Sequence, residues 1–61
     1  MKQYIGKRCK IHILFNGENL FYTADVTGVS TTHISFLDKF KRHYTYRVID
    51  VLQINAEGVG L

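Results

Sequence analysis

Apolar and polar residues alternate near the start of this chain, and the alternation ends in a turn signal. Residues 7–15 read Lys-Arg-Cys-Lys-Ile-His-Ile-Leu-Phe, and side chains two positions apart project from the same face of a strand. Asn16-Gly17 follows at once and supplies the positive φ angles that a tight hairpin needs, with Glu18-Asn19 as further turn material. We therefore predict a half-buried first strand and a hairpin. The buried face of that strand is predicted to carry Cys9, Ile11, Ile13 and Phe15.

The rest of the chain repeats this pattern in short segments. Val, Ile, Phe, Tyr and Thr are frequent while Ala and Leu are scarce, a balance that suits strands better than helices. Gly28 breaks the alternation inside the second strand and indicates a bulge or bend. Asp50 interrupts the pattern near the end and indicates a single 3₁₀ turn. Further strands are predicted over 20–29, 33–38, 44–49 and 51–55.

Five short strands joined by short turns predict an all-β fold. We expect a small five-stranded antiparallel meander that closes into a barrel, because closure removes exposed strand edges. Residues 1–55 are predicted to form this single domain. Residues 56–61 hold two glycines and one charge, and we expect them to form a flexible tail.

The length and the cysteine content set further limits. A chain of 61 residues hides only about 60% of the surface that its unfolded form exposes, so there is little material for a deep substrate pocket. The single cysteine cannot close an internal disulfide, which is typical of a reducing compartment. No apolar run is long enough for a membrane span or a signal peptide. We therefore expect a soluble, cytoplasmic protein without a membrane partner.

Four stretches together resemble the Sm-like and Src-homology-three-type small β-barrels. They are residues 4–8, 22–29, 32–39 and 50–54, which read YIGKR, YTADVTGV, THISFLDK and DVLQI. The resemblance implies a bent second strand in a small barrel. For the Sm-like group it also implies nucleic-acid binding, often of RNA, by a ring of subunits joined edge to edge. The motifs of that group's base pocket do not recur at 29–34 or 48–51, so the resemblance implies no site residues.

The basic residues are segregated along the chain. All eight Lys and Arg residues lie within residues 2–10 or 39–47, and the stretch between them holds three acids and no Lys or Arg. The second block interleaves aromatic residues with cations; cations neutralise phosphates, and exposed rings stack on unpaired bases. We therefore predict a non-catalytic protein that binds RNA or DNA. The predicted site is Lys39, Phe40, Lys41, Arg42, Tyr44 and Arg47, helped by Arg8 and Lys10, with Phe40 or Tyr44 as the exposed aromatic.

A different reading of the same residues remains open. Lys and Arg at turns also keep small barrels soluble and blunt strand edges, and the net charge of +3 is modest. The alternative function is a protein-interaction or self-assembly module with no nucleic-acid role. Such a module would use an open strand edge together with Phe40, Leu14 or Leu37.

Metal binding and catalysis have little support in the sequence. Cys9 and His12 have a ligand-like spacing, but residues three apart on a strand point to opposite faces. His33 and Ser35 would share a strand face that Asp38 does not, and no glycine-framed nucleophile turn accompanies them. We therefore expect no enzyme activity, no metal and no cofactor, with Cys9 buried and the histidines at the surface.

Overall fold

The computed structural model describes residues 1–57, which form one five-stranded antiparallel sheet. Two single 3₁₀ turns, Lys2–Tyr4 and Val48–Asp50, precede β1 and β5, and this described part contains no α-helix. The all-β, five-stranded antiparallel prediction is thus confirmed. The strands are β1 (Arg8–Phe15), β2 (Glu18–Val29), β3 (His33–Asp38), β4 (His43–Arg47) and β5 (Val51–Ala56).

The strand order is β4-β3-β2-β1-β5, so the first two strands lie in the middle of the sheet. β4 and β5 are its two edges and do not pair with each other, so the sheet is not closed by hydrogen bonds. The long β2 carries a register shift against β3 between Val26 and Gly28, which confirms the bulge predicted at this point. A second shift interrupts the pairing of β1 with β5 between His12 and Ile13.

The hairpin between β1 and β2 is confirmed, and it is tighter than predicted. Asn16 and Gly17 have φ angles of 51° and 77°, and Phe15 pairs directly with Glu18. Positive φ at both loop positions matches the twist of the flanking strands, so two residues complete the turn. Glu18 and Asn19 were predicted to be part of the turn, but they belong to β2.

The core lies on the inner face of β1, β2 and β3. Cys9, Ile11 and Ile13 are buried as predicted, because they occupy alternate positions of the central β1. Phe15 shares this face, as predicted, but it is 42% exposed because it lies at the hairpin end of the strand. The rest of the buried core is Ala24, Val26, Ile34 and Phe36.

The fourth and fifth strands end at residues other than those predicted. The fourth strand stops at Arg47 because Val48–Asp50 forms the 3₁₀ turn that Asp50 had indicated. β5 continues to Ala56, and the backbone N–H of Glu57 donates to the carbonyl of Arg8 at 2.8 Å. The chain thus stays on the sheet beyond residue 55, and the remainder of the predicted tail, 58–61, lies outside the described residues.

Candidate nucleic-acid interface

The outer face of the sheet presents polar and aromatic side chains from β1 and β2. Even-numbered residues of β1 point outward because the odd-numbered ones fill the core. The register places Lys10 opposite Thr23 and His12 opposite Phe21. A cation and an aromatic residue are therefore neighbours on this face, although they are eleven positions apart in the chain.

Phe21 is the most exposed ring on this face, with 74% of its surface open to solvent. The His12 ring stacks on it at a centroid distance of 4.3 Å and an angle of 17°. His12 is held in turn by a hydrogen bond of 2.9 Å between its Nε2 and Asn19 Oδ1. Phe21 is thus a supported platform, which the sequence analysis missed. The sequence did contain a signal that Phe21 is exposed, because Phe21 shares the polar face of β2 with Thr23 and Asp25.

The turn from β3 to β4 brings the second basic block beside this platform. Asp38 Oδ1 accepts hydrogen bonds from the backbone N–H groups of Phe40, at 2.8 Å, and Arg42, at 2.9 Å. The Asp38 carbonyl accepts from the Lys41 N–H at 3.0 Å, and Lys41 adopts a left-handed φ of 66°. Asp38 therefore organises the whole turn.

The two aromatic residues predicted as alternatives for stacking have different environments. Phe40 is 70% exposed, and Lys39 Nζ lies 5.3 Å from its ring centroid. Tyr44 is half-buried, with ring centroids 5.0 Å from Tyr22 and 5.8 Å from Phe36. Phe40 is therefore the exposed ring of the two, whereas Tyr44 pairs with Phe36 on the inner face of the sheet.

Two of the predicted cations are neutralised by carboxylates. Arg8 Nε and one terminal nitrogen donate to the two carboxylate oxygens of Asp25 at 3.1 and 3.4 Å, and this hydrogen bond with Asp25 raises the pKa of Arg8. Arg47 Nε donates to Asp50 Oδ2 at 3.2 Å. Arg47 also lies at the far end of β4 from the turn, about 13 Å from His43 along the strand. The structure therefore separates Arg47 from the other predicted site residues.

Four of the predicted cations lack such a partner. Within residues 1–57, the only ion pairs at or below 4.0 Å are those of Arg8 and Arg47. The other cations of the predicted site have no carboxylate partner among these residues, so positive charge remains beside the two exposed rings. The uncompensated cations of the site are Lys10, Lys39, Lys41 and Arg42.

Two open clefts flank the Phe21 ring. One, of about 290 Å³, lies over β1 and β5 and is lined by Lys10, His12 and Asn55. The other, of about 320 Å³, lies towards the β3–β4 turn and is lined by Thr23, Phe40 and Arg42 among others. Phe21, Tyr22 and Thr23 line both clefts, so this stretch of β2 lies between them.

The candidate metal ligands do not assemble. Cys9 is buried, its thiol donates to the Lys7 carbonyl at 3.6 Å, and burial raises its pKa. A thiol with a raised pKa is a poor ligand and a poor nucleophile. In the part of the chain that the structure describes, no three His, Cys, Asp or Glu side chains form a group that could hold a metal ion.

The serines near His33 have structural partners. Ser30 Oγ accepts the backbone N–H groups of Thr32 and His33 at 3.3 and 3.0 Å. Ser35 Oγ and Thr45 Oγ1 are 2.9 Å apart across β3 and β4. These contacts hold the β2–β3 turn and the outer face of the β3–β4 pair.

Comparison with protein-family models, with curated proteins and with solved structures gave no match. Within residues 1–57, no helix has the length and apolar character that crossing a bilayer requires.

Proposed function

We propose that this protein binds nucleic acid through the outer face of β1 and β2 and the adjoining β3–β4 turn. The observation that carries the proposal is the placement of two phenyl rings, 74% and 70% exposed, among cations that no carboxylate of the described residues pairs. We call this the basic-aromatic surface. It consists of Lys10, Phe21, Lys39, Phe40, Lys41 and Arg42.

The two kinds of side chain on this surface suit the two parts of a nucleotide. Lysine and arginine neutralise phosphates and release counterions, which supplies affinity without sequence preference. Exposed aromatic rings offer faces on which bases stack. Exposing a phenyl ring to water forgoes apolar burial, so two such rings beside unpaired cations favour a binding surface over a merely solvated one.

The ligand is RNA or DNA, and no enzyme activity or cofactor is part of the proposal. We place the encounter in the cytoplasm, because a chain with one buried, unpaired cysteine suits a reducing compartment.

The curled sheet would act as a small β-barrel that stays open between β4 and β5. The contact of Phe15 on β1 with Tyr46 on β4, with ring centroids 5.5 Å apart, supports that architecture, since three strand steps separate β1 from β4.

Fluorescence anisotropy with a labelled single-stranded oligonucleotide tests the proposal. Four uncompensated cations, each meeting one phosphate, predict that log K falls with log salt with a slope of about −2.8. The double variant Lys39→Gln with Arg42→Gln should halve that slope to about −1.4 and weaken binding at every salt concentration.

Arg47→Gln is the matched control. It also removes one positive charge from the second basic block, but Arg47 is paired with Asp50 and lies outside the basic-aromatic surface. It should leave the affinity and the salt slope near those of the wild-type protein. Affinity that is weaker than about 10⁻⁴ M at low salt, or that is insensitive to salt, would refute nucleic-acid binding.

A protein-interaction role is the second candidate, and one observation favours it. Leu14, Ile49 and Leu52 are 40%, 78% and 55% exposed where β1 ends and β5 begins, next to the free edge of β5. An exposed edge with apolar side chains can pair with another strand. Sedimentation velocity at high concentration distinguishes self-assembly, which predicts a dimer or larger species, from a strict monomer.

A further inference from the structure

We infer that the cleft between Phe21 and Phe40 accepts an unpaired nucleobase, so that the ligand is single-stranded. This inference rests on the proposed function and specifies its ligand. The cleft holds about 320 Å³ and is open to solvent. Its size admits one base with part of its sugar, and its two flanking rings are the most exposed phenyl groups of the described residues.

The orientation of Phe21 directs one ring face towards this cleft. His12 covers the other face, because it lies on β1, directly opposite Phe21 in the register. The β3–β4 turn lies on the opposite side of β2, since β2 separates β1 from β3 in the sheet. A base that enters from solvent therefore finds one free phenyl face on β2 and the Phe40 ring on the turn.

Cations occupy the rim where the phosphates of a stacked nucleotide would lie. Lys39 Nζ lies over one face of the Phe40 ring, 5.3 Å from its centroid, which leaves the other face for a base, and Lys39 and Arg42 both line the cleft. Lys10 lines the neighbouring cleft on the far side of Phe21. A strand that passes over Phe21 would keep its phosphates near a cation on both sides of the ring.

The polar lining of the cleft can contact the edge of a base. Thr23 supplies a hydroxyl, and Asp38 supplies a carboxylate whose Oδ1 already accepts two backbone N–H groups of the turn. Within the described residues, Oδ2 of Asp38 has no hydrogen-bond partner. It is therefore the acceptor available to an amino or imino group of a base. In a duplex those groups are already paired and the base faces are already stacked.

Three probes of equal length separate base stacking from phosphate contacts. They are a labelled oligothymidylate, the same strand annealed to its complement, and a strand of abasic sugar-phosphate units. We expect oligothymidylate to bind at least about 10-fold more tightly than the abasic strand, because only it can stack on the rings. The duplex should bind less tightly than oligothymidylate at the same salt concentration, although its charge density is higher.

The protein variants locate the effect. Phe21→Ala and Phe40→Ala should each lower the affinity for oligothymidylate about 5- to 150-fold, the range typical of one lost stacked base, and leave the abasic strand's affinity unchanged. Phe21→Tyr keeps the ring and should retain the wild-type affinity. Lys39→Gln should weaken both single strands by the same factor.

The outcomes distinguish the inference from the proposed function. If none of the probes binds at low salt, the proposed function fails. If the probes bind but the abasic strand or the duplex binds as tightly as oligothymidylate, the cleft does not take a base and only the inference fails. Equal losses for both single strands in Phe21→Ala would also overturn it. Both phenyl groups are exposed, so the alanine variants should fold, and their urea midpoints check this.

Discussion

Lys41 combines a charge proposed to meet phosphate with a costly backbone conformation. Its φ of 66° lies in the left-handed region, where a residue with a Cβ loses roughly 1–2 kcal/mol. The Asp38 carbonyl holds the Lys41 N–H at 3.0 Å and fixes the turn in this form. Lysine at this position is therefore unfavourable for the fold. A strained backbone of this kind is typical of a residue whose side chain has a function, here its charge.

Substitutions at Lys41 can separate the charge from the conformation. Lys41→Gly and Lys41→Ala both remove the charge, but only glycine relieves the left-handed strain. We expect Lys41→Gly to be about 1 kcal/mol more stable than Lys41→Ala in urea unfolding, because the greater chain entropy of glycine offsets part of the gain. Both variants should weaken oligonucleotide binding equally. Equal stability would contradict the strain at this turn.

The residues of the candidate site were predictable where they lie in the two basic blocks of the sequence. Lys39–Arg42 could be read directly, because the turn keeps sequence neighbours together. Phe21 was missed because its position beside Lys10 and the turn depends on strand register. Phe40 and Tyr44 stayed alternatives because alternation gives two faces without saying which one is buried, and the pairing of Tyr44 with Phe36 decides between them.

At the scale of elements, the backbone requires a glycine in the β1–β2 hairpin but not at the bulge of β2. Gly17 has a φ of 77° and closes the hairpin as the second residue of a two-residue loop. Gly28 follows the bulge of β2, but its φ lies outside the left-handed region, and a Cβ built there would meet no atom within 4 Å. The bulge therefore does not depend on glycine at this position.

Alanine at each glycine tests this difference. Gly17→Ala should destabilise the fold by about 1 kcal/mol, because alanine is strained at positive φ. Gly28→Ala should be neutral or stabilise the fold by up to about 1 kcal/mol, since alanine reduces the entropy of the unfolded chain. Urea unfolding at one pH measures both. A larger loss for Gly28→Ala than for Gly17→Ala would contradict the backbone geometry of β2.

Local sequence signals predicted the presence of the strands and turns better than they predicted where each strand begins and ends. The Asn16-Gly17 hairpin, the β2 bulge and the Asp50 turn each have a residue that signals them. The start of β2 at Glu18 and the bulge of β5 against β1 have none, because cross-strand pairing decides them. Barrel closure likewise depends on how far the sheet curls, which no single residue specifies.

At the scale of the whole molecule, aromatic contacts on the inner face hold the curl of the sheet. Phe15 on β1 meets Tyr46 on β4 edge to face, with their centroids 5.5 Å apart. The hydroxyls of Tyr22 on β2 and Tyr46 on β4 are 2.7 Å apart and hydrogen-bonded. These contacts pass over β3, so they hold together strands that do not pair. In a core this small, they make the curl dependent on a few side chains.

The Tyr22 hydroxyl should make global stability depend on pH in the alkaline range. Burial, and then the hydrogen bond with Tyr46, raise the pKa of Tyr22 in the folded protein. The unfolded phenol titrates near pH 10, so this contribution is fully present below that pH and is lost as the pH rises above it. The loss for one group is at most about 1.4 kcal/mol per pH unit.

Comparison with Tyr22→Phe isolates this contribution from every other titrating group. The variant keeps the ring but loses the hydrogen bond, so it should be about 1 kcal/mol less stable than the wild type at pH 8. That difference should vanish by about pH 11, because ionisation of the phenol favours only the unfolded wild-type chain. Urea unfolding of both proteins across this range measures it. A difference that stayed constant would mean that the folded protein does not hold the Tyr22 proton, and that the hydroxyl pair does not secure the curl.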